Sequence, residues 1–200
     1  DALIKLLKNN GWSGKMLNYP TEEQLIKNWA DILFNNNKGI DRLNGQPLTK
    51  GEMQQLLDKV KELRTPLALN GFINGKSVTI TRDNPADKLH FGKDVSLTIY
   101  NRLEIASGKS FYQIARQPKF EHHSYILPKR RGDLVLLING MPVIHIELKS
   151  SKVPAMHAVN QITDKYIPEG VFTDSIFSLV QIFVAMNPEE MMYFANPGID

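Results

Sequence analysis

The chain has 200 residues, 42% hydrophobic and 22% charged, with a net charge of +3, which suits one medium domain with a real core. No apolar run approaches the ~20 residues of a membrane span, and nothing at the N-terminus has the basic-then-apolar order of a signal peptide, so the cytoplasm is the default compartment. The absence of cysteine excludes disulfides, thiolate metal sites and a cysteine nucleophile, leaving oxygen and imidazole as metal ligands.

The first seventy residues read as helical. Leu3, Ile4, Leu6 and Leu7 have amphipathic spacing, and Asn9-Asn10-Gly11 is a stop signal. Thr21 and Gln24 have capping-box spacing ahead of Leu25, Ile26, Trp29, Ile32 and Leu33, and Asn35-Asn36-Asn37 closes that helix. Thr49 and Glu52 repeat the spacing before Met53, Leu56, Leu57, Val60 and Leu63, a third helix that stops before Pro66. Beyond it, Phe72 and Ile73 lead into Asn74-Gly75 and Val78-Thr79-Ile80-Thr81, which predicts a hairpin. Strands follow at 95–100 and 111–114, the second extending toward Phe120, then at 133–138 and 143–149 on either side of Asn139-Gly140. Pro154 starts a helix running to about Ile167, residues 179–185 form a last buried strand, and Tyr193-Phe194 a short edge. Polar stretches at 82–94 and 121–131 read as surface loops. The composite is an α+β fold: a mixed central β-sheet flanked by helices and preceded by a helical N-terminal segment, 1–70, packed on a core of 71–200. A chain that starts at Asp1 and stops just after Phe-Ala-Asn-Pro-Gly reads as a piece of something longer.

The chemistry concentrates in one place. Asp133 opens an apolar strand, and Glu147-Leu148-Lys149 ends the next. Residues two apart in a strand share a face, so Glu147 and Lys149 lie with Val143 and His145, away from Ile144, Ile146 and Leu148. Two carboxylates and a carbonyl can hold Mg²⁺ and leave positions for water and phosphate, and a neighbouring ammonium can position the water or stabilise developing charge. The triplet alone equally describes a solvated strand end with an i,i+2 ion pair. Geometry separates the readings. A regular two-residue Asn139-Gly140 turn puts Asp133 and Glu147 on opposite faces, so a metal site requires an odd-length loop or a bulge in this hairpin.

Further residues extend the resemblance beyond the triplet: Tyr112-Gln113-Ile114-Ala115-Arg116-Gln117, Arg131-Gly132-Asp133 with its apolar run to Asn139-Gly140-Met141-Pro142, and His145-Ile146-Glu147-Leu148-Lys149. Asn160-Gln161-Ile162, Val180-Gln181-Ile182-Phe183-Val184-Ala185-Met186 and Tyr193-Phe194-Ala195-Asn196-Pro197 follow in order. From about Asp94 to Gly198 the chain thereby resembles the N-terminal nuclease region of type I restriction enzyme R subunits, restriction-endonuclease-like proteins of the PD-(D/E)XK superfamily. The resemblance implies Mg²⁺- or Mn²⁺-dependent cleavage of double-stranded DNA, with ATP used only by motor domains outside this chain and with methyltransferase and specificity subunits as partners. It makes Asp133, Glu147 and the Leu148 carbonyl the metal ligands, Lys149 the catalytic lysine and Gln161 a site-ordering residue. Alternatives are a silent DNA-binding or docking module of the same fold and a stand-alone repair nuclease.

Two departures stand out. Gly132 sits where the superfamily often has proline, and the family's Gln-x-x-x-Tyr motif is met only by Gln161 and Tyr166, with Lys165 in the tyrosine's place. Residues five apart on a helix lie about 140° apart, so Tyr166 joins the site only if the helix has an irregular turn. A pI near 9.0 fits a polyanion partner, and Lys129, Arg130, Arg131, Lys165 and Tyr166 are the candidate DNA contacts, with Lys152 a further cation near the cleft. Glu22, Glu23 and Glu52 are candidates for an additional acid from the helical front. His145 reads as a neighbour rather than a ligand, His122-His123 as a solvated loop, and Trp12 and Trp29 as packing residues of the helical front.

Overall fold

The computed structural model describes residues 2–63, 65–73, 77–99, 110–120 and 129–198. The helical front begins with α1 (Ala2–Asn9), α2 (Glu22–Asn37) and α3 (Lys50–Lys61). Both expected capping boxes form: the Thr21 and Thr49 side chains accept from the backbone N–H of Gln24 and Glu52, whose side chains bond back to the cap backbone. Pro66–Ile73 is a fourth helix, α4, rather than the first arm of a hairpin. Proline suits a first helical turn because its missing N–H has no intrahelical partner there, and the Thr65 hydroxyl accepts from Ala68 N. Asn74-Gly75 lies outside the described residues. The strand after it, β2 (Ser77–Thr81), pairs instead with β3 (Asp94–Thr98) in a two-stranded sheet.

The main sheet has six strands in the order β1 (Leu17–Asn18), β4 (Tyr112–Arg116), β7 (Leu134–Ile138), β8 (Met141–Leu148), β9 (Ile182–Met186) and β10 (Met191–Ala195). The β1/β4 and β8/β9 pairs are parallel and the others antiparallel, so the sheet is mixed. A second small ribbon joins β5 (Lys119–Phe120) to β6 (Arg130–Arg131). Between the parallel strands β8 and β9 lie α5 (Met156–Gln161), a five-residue π turn at Ile162–Tyr166, and a 3₁₀ turn at Ile176–Leu179. That last turn replaces the start of the expected 179–185 strand, because Ser175 caps it by accepting from Phe177 N.

Strand alternation divides the core. Val135, Leu137, Val143 and Phe183 join Trp29, Leu33 and Leu56 of the helical front on one face. Leu134, Leu136, Ile146 and Ile114 face the other way, under Leu3, Ile4, Leu7 and Trp12. Trp12 therefore packs on the sheet's opposite face, edge-on to Tyr112, whereas Trp29 belongs to the main core.

The segment expected to be a surface loop at 82–94 holds a buried ion-pair network. Arg82 is fully buried and donates to Asp87 Oδ2 (3.0 Å), Glu52 Oε2 (2.5 Å) and the carbonyls of Leu43, Gln46 and Pro47. Glu52 accepts in addition from the N–H groups of Thr49, Asp83 and Asn84. Burial alone would raise the Asp87 carboxyl, but hydrogen bonds from Arg82, Asn44 and His90 outweigh it and hold the pKa at about 2. A polar segment can face inward when every charge in it is paired.

Candidate metal and DNA-cleavage site

The β7–β8 hairpin decides whether the two acids meet. Its turn has two residues, Asn139 and Gly140, both at positive φ (51° and 84°), which matches the twist of the flanking strands. A side chain at Gly140 would also meet Trp29 Cα at 2.8 Å. Ile138 pairs with Met141 and Leu137 with Pro142, a register that would turn Asp133 and Glu147 apart. The register then slips: Leu136 pairs with Ile144, Val135 with His145 and Leu134 with Ile146, leaving Val143 unpaired. That one-residue bulge brings Asp133, one residue before β7, level with Glu147 on the same face.

Each acid is fixed on one side. Asp133 Oδ2 accepts from Leu148 N at 2.7 Å. Glu147 is 3% exposed, and its Oε1 accepts from Gln161 Nε2 at 2.5 Å and from the Tyr166 hydroxyl at 3.4 Å. Lys149 Nζ lies 3.9 Å from the same oxygen and donates to Gln161 Oε1 at 2.5 Å. Gln161 thus ties the ammonium to the carboxylate. Burial, and then the charge of Glu147, push the Asp133 carboxyl above its ordinary range, against the opposing pull of the Leu148 N–H and Lys149.

Tyr166 reaches this cluster because the crossover helix widens. Ile167 N bonds to Ile162 O, five residues back, a π turn of the kind that recurs at functional sites. Gln161 and Tyr166 then share a face, and Gln161 Nε2 lies 2.5 Å from the tyrosine hydroxyl. The single proton of that hydroxyl is shared between Arg131 O at 3.0 Å and the more distant Glu147 Oε1. Burial, and then the Glu147 charge, raise the Tyr166 pKa well above the ordinary phenol value, keeping it a donor. Tyr166 is 2% exposed, buried beneath the cluster it bonds to.

The remaining candidates divide by position. Lys149, Gln161 and Lys165 line one concavity of about 310 Å³ together with His157, Asn160 and Asp164. Lys129, Arg131 and Lys165 are exposed. Arg130 instead forks onto Glu169, at 2.9 and 2.6 Å. Lys152 is exposed in the turn after β8 and does not line the concavity. Of the acids from the helical front, Glu52 is occupied by Arg82 and by the N–H groups of Thr49, Asp83 and Asn84, Glu23 pairs with Lys50 at 3.2 Å, and Glu22 accepts from Ile176 N. His122-His123 lies outside the described residues.

Sequence reasoning left one feature unexplained, the glycine before Asp133. A side chain at Gly132 would meet His145 Cε1 and Phe120 Cζ, each at 2.7 Å, and Gly132 N donates to Pro118 O at 3.1 Å. Proline there would lose that bond and collide. Gly132→Ala is expected to cost about 1–3 kcal/mol through overpacking, read as a lower urea midpoint; an unchanged midpoint would show that the rings yield freely.

Whether these residues suit a divalent cation can be judged from the carboxylates. Among the described residues no group of three or more histidines and acids converges on a metal position. Two acids do lie level on neighbouring strands, one with its pKa raised by its surroundings and the other with a buried oxygen, Glu147 Oε2, that accepts no hydrogen bond among the described residues. A divalent ion relieves the repulsion between the two acids, so the donor set fits a hard cation completed by backbone, water or substrate oxygens.

Comparison with known proteins follows the same line. Residues 1–198 match the family described as type I restriction enzyme R protein N terminus. The chain is 30% identical over 198 residues to the type I restriction enzyme SsaAORF53P endonuclease subunit of Staphylococcus saprophyticus, covering 97% of this chain and 18% of that protein. It is 32% identical over 178 residues to the SauCOLORF180P endonuclease subunit of Staphylococcus aureus strain COL, covering 87% of this chain and 17% of the relative. A shorter stretch of 67 residues, 33% of this chain and 21% of the relative, is 40% identical to the EcoprrI endonuclease subunit of Escherichia coli.

Proposed function

Because the chain belongs to the family of type I restriction enzyme R protein N-terminal domains, we propose that it is the Mg²⁺-dependent endonuclease domain that cuts double-stranded DNA within an ATP-driven restriction complex. The chain spans under a fifth of the length of the first two relatives, 18% and 17%. In this reading an ATP-consuming motor belongs to the rest of such a subunit, and methyltransferase and specificity subunits to the assembly around it. The observation that carries the reading is the bulge that levels Asp133 with Glu147 beside Lys149.

Asp133, Glu147 and the Leu148 carbonyl would hold Mg²⁺ or Mn²⁺. The ion would supply Lewis-acid stabilisation of the phosphate and lower the pKa of an attacking water. The chain's own groups do the rest. The Lys149 ammonium faces the reacting phosphate from beside Glu147 and stabilises charge that grows on its oxygens. Gln161 holds both Lys149 and Glu147, so the two charges keep a fixed spacing as substrate enters. Tyr166 anchors Gln161 and Glu147 to the Arg131 carbonyl from below. Lys129, Arg131 and Lys165 are the exposed cations for the DNA backbone, with Arg130 held on Glu169.

The test is cleavage of double-stranded DNA by the assembled complex carrying Lys149→Ala. Cleavage should fall by about 10²-fold or more, in line with loss of one charge-stabilising group, while circular dichroism is unchanged. A variant complex that cuts at the normal rate removes this reading.

A further inference from the structure

His145 is fully buried, and neither ring nitrogen has a hydrogen-bond partner among the described residues. Its Nε2 nevertheless lies 3.2 Å from Glu147 Oε2, which is buried and equally unpartnered. The distance is within hydrogen-bond range, although the pair does not meet the geometry of a hydrogen bond. Two buried polar groups left this way each carry a desolvation cost that a small rotation of either would remove. Nothing else among the described residues competes for Oε2, since Gln161 and Tyr166 both bind Oε1.

The ring is also tightly confined. Phe120, Tyr166, Phe172 and Phe183 surround it, with ring centroids 5.8, 5.8, 5.3 and 6.3 Å away. The missing side chain at Gly132 leaves the space that His145 Cε1 occupies. Within this aromatic cage the imidazole keeps Nε2 beside the Glu147 oxygen. Among the described residues no group of three or more histidines and acids gathers around His145, and its nearest polar atom is the Glu147 oxygen.

We propose that His145 is a positioning residue for Glu147: its Nε2–H donates to Oε2 and fixes the plane in which that carboxylate meets the cation. This rests on the nuclease reading above and adds to it. Glu147 is then held at both oxygens, Oε1 by Gln161 and Tyr166 and Oε2 by His145. Second partners of this kind tune metal affinity without touching the metal.

The test compares His145→Gln, whose amide nitrogen can take the place of Nε2, with His145→Leu, which fills the cage without a donor. Mn²⁺ affinity of the 200-residue chain is measured by titration calorimetry, with circular dichroism confirming the fold of each variant. His145→Leu should weaken Mn²⁺ binding by about tenfold or more and His145→Gln by no more than about threefold, the range expected for an outer-sphere partner. In the assembled complex, DNA cleavage should rank the variants in the same order. Unaltered Mn²⁺ affinity in His145→Leu, or an equal loss in both variants, overturns the proposal. A native chain that takes up no Mn²⁺ overturns the metal reading and this one with it, whereas intact binding that is lost in Glu147→Ala but ignores His145 overturns this one alone.

Discussion

Asp133→Asn is expected to yield a chain that is more stable than the native one in EDTA and unable to support DNA cleavage. The reason is the environment of the carboxylate. Burial and the charge of Glu147 hold its pKa above the ordinary carboxylate value, so the folded state binds this proton more tightly than the unfolded state does. The associated cost is absent below the ordinary value and is incurred as pH rises through the raised folded value. Asparagine removes the charge, and its carbonyl can still accept from Leu148 N, the bond that Oδ2 makes at 2.7 Å. A gain of about 0.5–2 kcal/mol is expected, as for other relieved functional sites, or on the order of 2–4 °C in Tm per kcal/mol for a chain of this size. Mg²⁺ should reverse the order, because only the native chain gains stability by binding it. Thermal melts in EDTA and in Mg²⁺ check both halves. An Asp133→Asn chain that melts lower than native in EDTA would show that the carboxylates are not in conflict.

Arg82→Leu is expected to be the most destabilising single change, costing about 3–5 kcal/mol, the usual result of removing one partner from a buried ion pair. All the guanidinium contacts are internal: Glu52, Asp87 and three carbonyls. Leucine fills much of the volume but leaves two buried carboxylates without a counter-charge. The loss should reach beyond β2, because Glu52 also caps α3 and receives the backbone of Asp83 and Asn84. Urea denaturation measures it directly. A change below about 1 kcal/mol would place this network among weakly coupled surface pairs. Acid should find the same weak point from the other side. With its folded pKa depressed to about 2, Asp87 contributes stability that is present above the ordinary carboxylate value and lost as pH falls toward about 2.

Much of this architecture is legible in the residues. Thr21/Gln24 and Thr49/Glu52 announce two helix starts because capping chemistry is local and needs no tertiary partner. Asp133, Glu147 and Lys149 stand out because charges at the ends of apolar strands need a reason to be there. The Phe72-Ile73-Asn74-Gly75 stretch misleads because its turn signal is local, whereas Pro66 both follows one helix and starts the next, and β2 finds its partner in β3 instead. Arg82 misled because a polar loop looks the same in sequence whether its charges face water or one another. His145 was legible only as a neighbour: its cage is assembled from Phe120, Tyr166, Phe172 and Phe183, which lie 25 residues before it and up to 38 after it.

The unpaired Val143 and the widened turn at Ile162–Tyr166 are each one surplus residue, absorbed on either side of the same cluster. Fixed intervals are then the wrong yardstick for recognising chains of this kind. A search that demands the tyrosine four places after the glutamine, or counts evenly around the hairpin, would reject this molecule although its side chains converge. Tolerating one floating position in each element would recover it, and would separate sequences that have lost the cluster from those that have merely lengthened the route to it.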